Sequence, residues 1–179
     1  MRHCLLFLFC SVCLLLNAQQ TKTLALQFAN ENTAGLFTQY KQLHAHPEIS
    51  TQESRTSAFL KNEMILLGYK IVDSLGYKSF AAVMENGKGS TILYRTDMDG
   101  LPVFEKTGLP YASKDSCLKE GVAVPAMHAC GHDIHMTTWL GLAKYLSTHT
   151  KNWKGTIIFL AQSAEETAQG AKAIVAADA

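Results

Sequence analysis

The sequence carries almost no surplus charge: 16 basic against 15 acidic residues leave +1 with histidine neutral. The basic residues are scattered, which excludes a polyanion-binding surface and with it nucleic acid as a partner. No stretch reaches the ~20 consecutive apolar residues needed to cross a bilayer. There is no internal repeat, low-complexity tract or linker, which excludes a repeat array or a string of modules. A chain of 179 residues fits about one domain of the usual ~100–200 residues. Cysteine is sparse, five in all.

Three of those cysteines lie in the one marked apolar run, Cys4 to Leu16. Arg2 and His3 precede the run and Leu16-Asn17-Ala18 closes it. This is the pattern of a secretory signal peptide, residues 1–18, cut after the small Ala18. A lipoprotein anchored on Cys10 or Cys13 is disfavoured, because Phe9 and Val12 are bulkier than the small residue expected before a lipidated cysteine. The expectation is an exported protein, periplasmic or extracellular, with no membrane association once the leader is removed and residues 19–179 as its mature part. Cleavage leaves Cys117 and Cys130, which an oxidising compartment could pair. A small disulfide-stabilised secreted domain is therefore one rival reading.

Along the mature chain, Leu36, Tyr40 and Leu43 recur at helical spacing before Pro47, predicting a helix over roughly Thr33 to Ala45. His44 and His46 leave that helix and read as hydrogen-bonded structural residues. Ser50 and Glu53 have capping-box spacing, followed by the apolar stripe Leu60, Met64, Leu67 and a stop at Gly68. Short strands are predicted at Tyr69 to Ser74 and Phe80 to Met84. Asn86-Gly87 predicts a hairpin into Ser90 to Thr96, whose Thr91-Ile92-Leu93-Tyr94 centre reads as buried on both faces. Leu101 to Pro125 lacks periodicity and predicts a long loop with room for a brief strand, which at that length favours function. A helix follows from Met136 to about His149, then a buried strand over Gly155 to Gln162 and a last helix from near Gln169. Alternating strands and helices, with the buried strands ending in acids, describe an α/β sheet with its site at the strands' carboxyl ends.

The acids and a compact cluster carry the chemistry. Met127-His128-Ala129-Cys130-Gly131-His132-Asp133-Ile134-His135 packs three imidazoles, a thiol and a carboxylate into nine residues. That donor mixture suits a zinc-like ion better than a hard ion such as calcium. Cys130 and His132, two apart, do not share a helical face and would chelate from a loop eased by Gly131. Glu165 and Glu166 suit a split role, one ligating and the other handling the proton of an attacking water. Asp97 and Asp99 alternate and so point to one side, fit either to ligate or to orient an imidazole.

Three segments occur in order: Tyr94-Arg95-Thr96-Asp97-Met98-Asp99-Gly100-Leu101-Pro102, then Met127-His128-Ala129-Cys130-Gly131-His132-Asp133, then Ala164-Glu165-Glu166. With Leu43-His44-Ala45-His46-Pro47-Glu48-Ile49-Ser50 before them, the chain resembles the amidohydrolase branch of the aminoacylase and carboxypeptidase metallopeptidases, peptidase family twenty. The resemblance implies a zinc-peptidase-like α/β domain with a mixed, largely parallel sheet and helices on both faces. It implies two divalent ions (zinc, manganese, cobalt or nickel) and hydrolysis of the amide bond of N-acyl amino acids or small peptides by a metal-activated water. Cys130 would bridge the ions, His132 and Glu166 would ligate, and Glu165 would be general base and acid. Asp99 would orient a histidine ligand, with Asp97, Asp133 and His128 as residues around the ligands. Ser163, Thr167-Ala168-Gln169 and Ile134 depart from the family pattern without removing a ligand. The family's remaining metal-binding histidines and its inserted dimerisation domain would lie beyond Ala179. The chain is therefore expected to be an N-terminal fragment, inactive alone, of a protein that forms a homodimer. The rival from another class is a non-catalytic exported metal-binding module.

Overall fold

The computed structural model describes the backbone of residues 2–177 and the side chains of residues 22–177. The leader reading, residues 1–18, thus falls where side chains lie outside the described residues. Among the described residues no helix is long and apolar enough to cross a membrane. The chain forms two compact units, Met1–Ala34 and Gly35–Ala179. The first carries the opening turns of helix α1, Arg2–Ala45, which begins well before the predicted Thr33. Everything that follows concerns the second unit.

Helix α2 spans Ser54–Leu66, and strands β1 (Lys70–Val72), β2 (Phe80–Asn86) and β3 (Thr91–Asp97) follow. Next come a hairpin of β4 (Ser116–Lys119) and β5 (Val122–Pro125), helix α3 (His132–Thr148), strand β6 (Gly155–Gln162) and helix α4 (Gly170–Ala176). The main sheet has the order β1-β2-β6-β3. It is mixed: β3 runs parallel to β6, while β1–β2 and β2–β6 are antiparallel.

The centre of the sheet goes to β6, the longest apolar strand, whose Ile157, Phe159 and Ala161 alternate into the core. Phe159 meets Tyr69, Tyr94 and Trp139 edge to face, with centroids 5.4, 6.0 and 5.3 Å away, the arrangement that aromatic quadrupoles favour. Leu60 and Met64 of α2, with Met136, Trp139, Leu140 and Ala143 of α3, close the same cluster. The predicted stripes on both helices are therefore the faces that become buried.

Two strand expectations change. Asn86-Gly87 does turn the chain, with Gly87 at φ 78°, but β2 and β3 do not pair because β6 lies between them. The connection passes over the start of β6, where Thr156 N–H donates to the Ser90 carbonyl at 3.0 Å. A Cβ on Gly155 would stand 2.2 Å from that carbonyl oxygen, so the crossing requires glycine there. The second change concerns β3, which is not buried on both faces. It is a sheet edge, leaving Ile92 62% and Leu93 56% exposed; a continuous apolar run does not distinguish an edge from a centre.

Candidate metal centre

The parallel β3–β6 pair sets the site. Its register places Asp97 opposite Gln162, so both strands end side by side and Asp99 and Glu165–Glu166 emerge together. Arg95 Nε donates to Gln162 Oε1 at 2.8 Å, tying the two ends. Across from them α3 begins at His132, four residues before the predicted start, capped by Gly131 in the left-handed conformation at φ 77°. An L side chain rarely adopts that conformation, so this glycine turns Cys130 away from the helix while His132 enters it.

His132 is 4% exposed and is the hub. Its Nδ1 lies 2.7 Å from the Asp99 backbone carbonyl, which can only accept, so Nδ1 carries the proton. Nε2 is left facing acids: Asp97 Oδ2 at 3.6 Å, Glu165 Oε2 at 3.7 Å and Glu166 Oε1 at 3.9 Å. Two groups of three ligand atoms form around it, Asp97-His132-His135 and His132-Glu165-Glu166, each with its atoms within 4.8 Å of one another. Burial by itself would lower the His132 pKa, but hydrogen bonding to Asp99 and the field of Asp97 overcome it and raise it to about 9.

Asp99 shows the same contest. Burial would raise its pKa, but the His132 imidazole 3.5 Å from Oδ1, with hydrogen bonds from the Ser50 hydroxyl (2.6 Å) and the backbone N–H of Glu166 (2.9 Å) to Oδ2, holds it down at about 2. Asp97 accepts from His135 Nδ1 at 2.7 Å. Cys130 stands exposed beside Glu166 and outside both close groups. Hydrogen bonding to Glu166, with the surrounding acids, pushes its thiol up to about 11, so it becomes a thiolate only where a cation offsets those charges. Cys117 and Cys130 are both free. Cys117 is directed at the Pro47 carbonyl, 3.8 Å away, rather than at a partner sulfur.

The other sequence candidates sit behind the hub. Asp133 faces His44 (2.6 Å), whose other nitrogen meets Glu105 at 3.0 Å. Both neighbours are carboxylates, an arrangement that favours a proton on each His44 nitrogen. Burial opposes that charge, but the bonds to Glu105 and Asp133 outweigh it and raise the pKa. His44 is thus the hydrogen-bonded structural residue expected. His128 is 4% exposed with neither nitrogen partnered, and burial lowers its pKa to about 4.

Three participants had been missed or misassigned in the sequence. His135 stands at i+3 from His132, but a helix starting at Met136 hid that shared face. Ser50 and Glu53, read as a capping box, make no side-chain cap for α2. Ser50 bonds Asp99, and Glu53 Oε1 accepts the backbone N–H of Ala164 at 2.7 Å. Burial pushes the Glu53 carboxyl up to about 7, against the pull of that bond.

The donor set fits a divalent cation. Glu166 Oε1 is buried without a hydrogen-bond partner, and several carboxylates crowd one imidazole whose Nε2 a cation could take in place of a proton. Without a cation, the charged imidazole must balance those acids. Its stabilisation is fully present below the ordinary value of 6.5 and is lost as pH rises through about 9. Urea denaturation in chelator should therefore show the stability difference between wild type and His132→Asn shrinking across that window. A difference independent of pH would contradict the assigned partners.

Acids and an imidazole gathered at the carboxyl ends of parallel strands occupy the place where α/β sheets bind their ligands. Residues 93–179 match the model of Peptidase family M20/M25/M40. It is similar to N-acetyldiaminopimelate deacetylase of Ligilactobacillus salivarius, 46% identical over 132 residues, covering 73% of this chain and 32% of that protein. It is also similar to N-acetyl-L-cysteine deacetylase of Bacillus subtilis, 40% identical over 136 residues, covering 75% and 31%. Among solved structures it resembles the YXEP protein of Bacillus subtilis, described as a dinuclear metal binding peptidase from the M20 family. That match has a TM-score of 0.72 and 35% identity, over 81% of this chain and 39% of that one. The chain spans about a third of the length of the curated relatives it matches.

Proposed function

We propose that this chain is the N-terminal part of an exported, metal-dependent amidohydrolase that cleaves the amide bond of N-acyl amino acids or small peptides. The observation that carries the reading is the glutamate doublet facing His132 Nε2, at 3.7 and 3.9 Å, with Asp97 opposite at 3.6 Å. The deacetylase names of its relatives support the substrate class, and the dinuclear description of the YXEP protein supports two ions. Export rests on Arg2, His3, the apolar run Cys4 to Leu16 and the small Ala18 after it.

In this reading His132 and Glu166 hold the ions, zinc, manganese, cobalt or nickel, with Cys130 closing on them from the exposed side. Bound there, the ions would acidify a water and polarise the amide carbonyl. Asp99 fixes the His132 tautomer through its carbonyl and steadies Glu166 through its carboxylate. Glu165, whose side chain is 40% exposed, takes the proton of the attacking water and delivers it to the departing amine. Asp97 holds His135 against the open side of His132.

The remaining ligands would come from the two thirds of the relatives' length that this chain does not span. The test is a panel of N-acyl amino acids offered to a protein extended to that length. Hydrolysis should disappear with a chelator and return with one of the four metals. Hydrolysis indifferent to chelation, or none in the metal-loaded protein, would reject the proposal.

A further inference from the structure

We infer that Glu53 is a positioning residue for the Glu165–Glu166 pair, acting through the backbone N–H of Ala164. Glu53 is fully buried at the N-terminus of α2, yet its carboxylate makes no side-chain cap for that helix. Its Oε1 instead reaches 111 residues along the chain to accept from Ala164 N at 2.7 Å. Ala164 has φ 50° and Ala168 φ 55°, a left-handed conformation that residues with a Cβ disfavour. The turn between β6 and α4 is held within itself by three bonds: Ala168 N to Glu165 O, Gln169 N to Ala164 O and Gly170 N to Ala164 O, at 2.8, 3.1 and 3.0 Å. None of these fixes the turn against the rest of the domain.

The turn's two ends are tied to the β1–β2 connection, Ser163 N–H to Ser79 Oγ at 3.0 Å and Tyr77 O–H to Gln169 Oε1 at 2.8 Å. The segment between α1 and α2 holds the stretch that carries the glutamates at two points. Glu53 takes the Ala164 amide directly, while Ser50 bonds Asp99 Oδ2, which takes the Glu166 amide at 2.9 Å. Glu165 lies between the two anchored amides, so its direction toward His132 depends on both. The Ser50–Glu53 spacing thus secures a turn far along the chain rather than its own helix.

The inference rests on the proposed function only for its metal readout. The experiment is amide hydrogen exchange by NMR, with zinc titration, on a protein extended to the length of its relatives and on its Glu53→Gln and Glu53→Ala variants. In the wild type the Ala164 amide should be protected. Glu53→Gln keeps an oxygen acceptor and should retain both that protection and zinc affinity. Glu53→Ala should speed exchange at Ala164 and Glu166 while α3 stays protected, and should weaken zinc about 10- to 100-fold, as loss of a partner behind the ligands does. A freely exchanging Ala164 amide in the wild type would overturn the inference. So would Glu53→Ala that leaves Ala164 exchange unchanged or opens all amides alike. If Glu53→Ala does not fold, a Glu53→Gln chain that loses zinc affinity while Ala164 stays protected overturns it equally. A wild type that binds no zinc would count against the proposed function, and the exchange arm would still decide Glu53.

Discussion

Glu165→Gln, in a protein extended to the length of its relatives, should lower turnover by ~10²- to 10⁴-fold, the usual contribution of a general base, with metal content unchanged. Glutamine keeps the shape and an oxygen acceptor but cannot take a proton at neutral pH. The two glutamates differ in their surroundings, which is why the effect should divide between them. Glu165 is 40% exposed at the side chain, open to a substrate, whereas Glu166 is 17% exposed and its Oε1 is buried without a hydrogen-bond partner. A proton carrier needs access, and an orphaned buried oxygen needs a cation. Full activity in the variant would remove Glu165 from the mechanism; loss of metal would make it a ligand instead.

The parts of the site legible in the sequence were those whose chemistry is local. The cluster from His128 to His135 announced itself through residue type, and the acids after β3 and β6 did so through their place at strand ends. Their convergence followed from topology, and the parallel register of Asp97 with Gln162 realises it. Helix α3 was legible from Met136, Trp139, Leu140 and Ala143, all buried.

What escaped depended on partners distant in sequence. Ser50 and Glu53 have a spacing that two different structures explain, and only the approach of Ala164 and Asp99 selects between them. The face that His135 shares with His132 is obscured by a helix boundary set four residues late, because the helix start is marked by glycine at φ 77° rather than by a side-chain cap. The exposed β3 and the lost hairpin share one cause. Strand order depends on which apolar strand takes the centre of the sheet, and the alternation of apolar residues within a single strand carries no information about its neighbours.

Nε2 of His132 is the atom around which the acids gather, holding a proton until a cation takes its place. Isothermal titration of zinc into a protein extended to the length of its relatives tests this most directly when wild type is set against His132→Ala, with His46→Ala as control. His46 pairs with Asp115 at the surface, 3.1 Å away, and its loss should leave zinc affinity unchanged. Loss of His132 should weaken zinc by more than the ~10- to 100-fold typical of a residue behind the ligands. Equal affinity in wild type and His132→Ala, or no zinc bound by either, would contradict the metal centre described here.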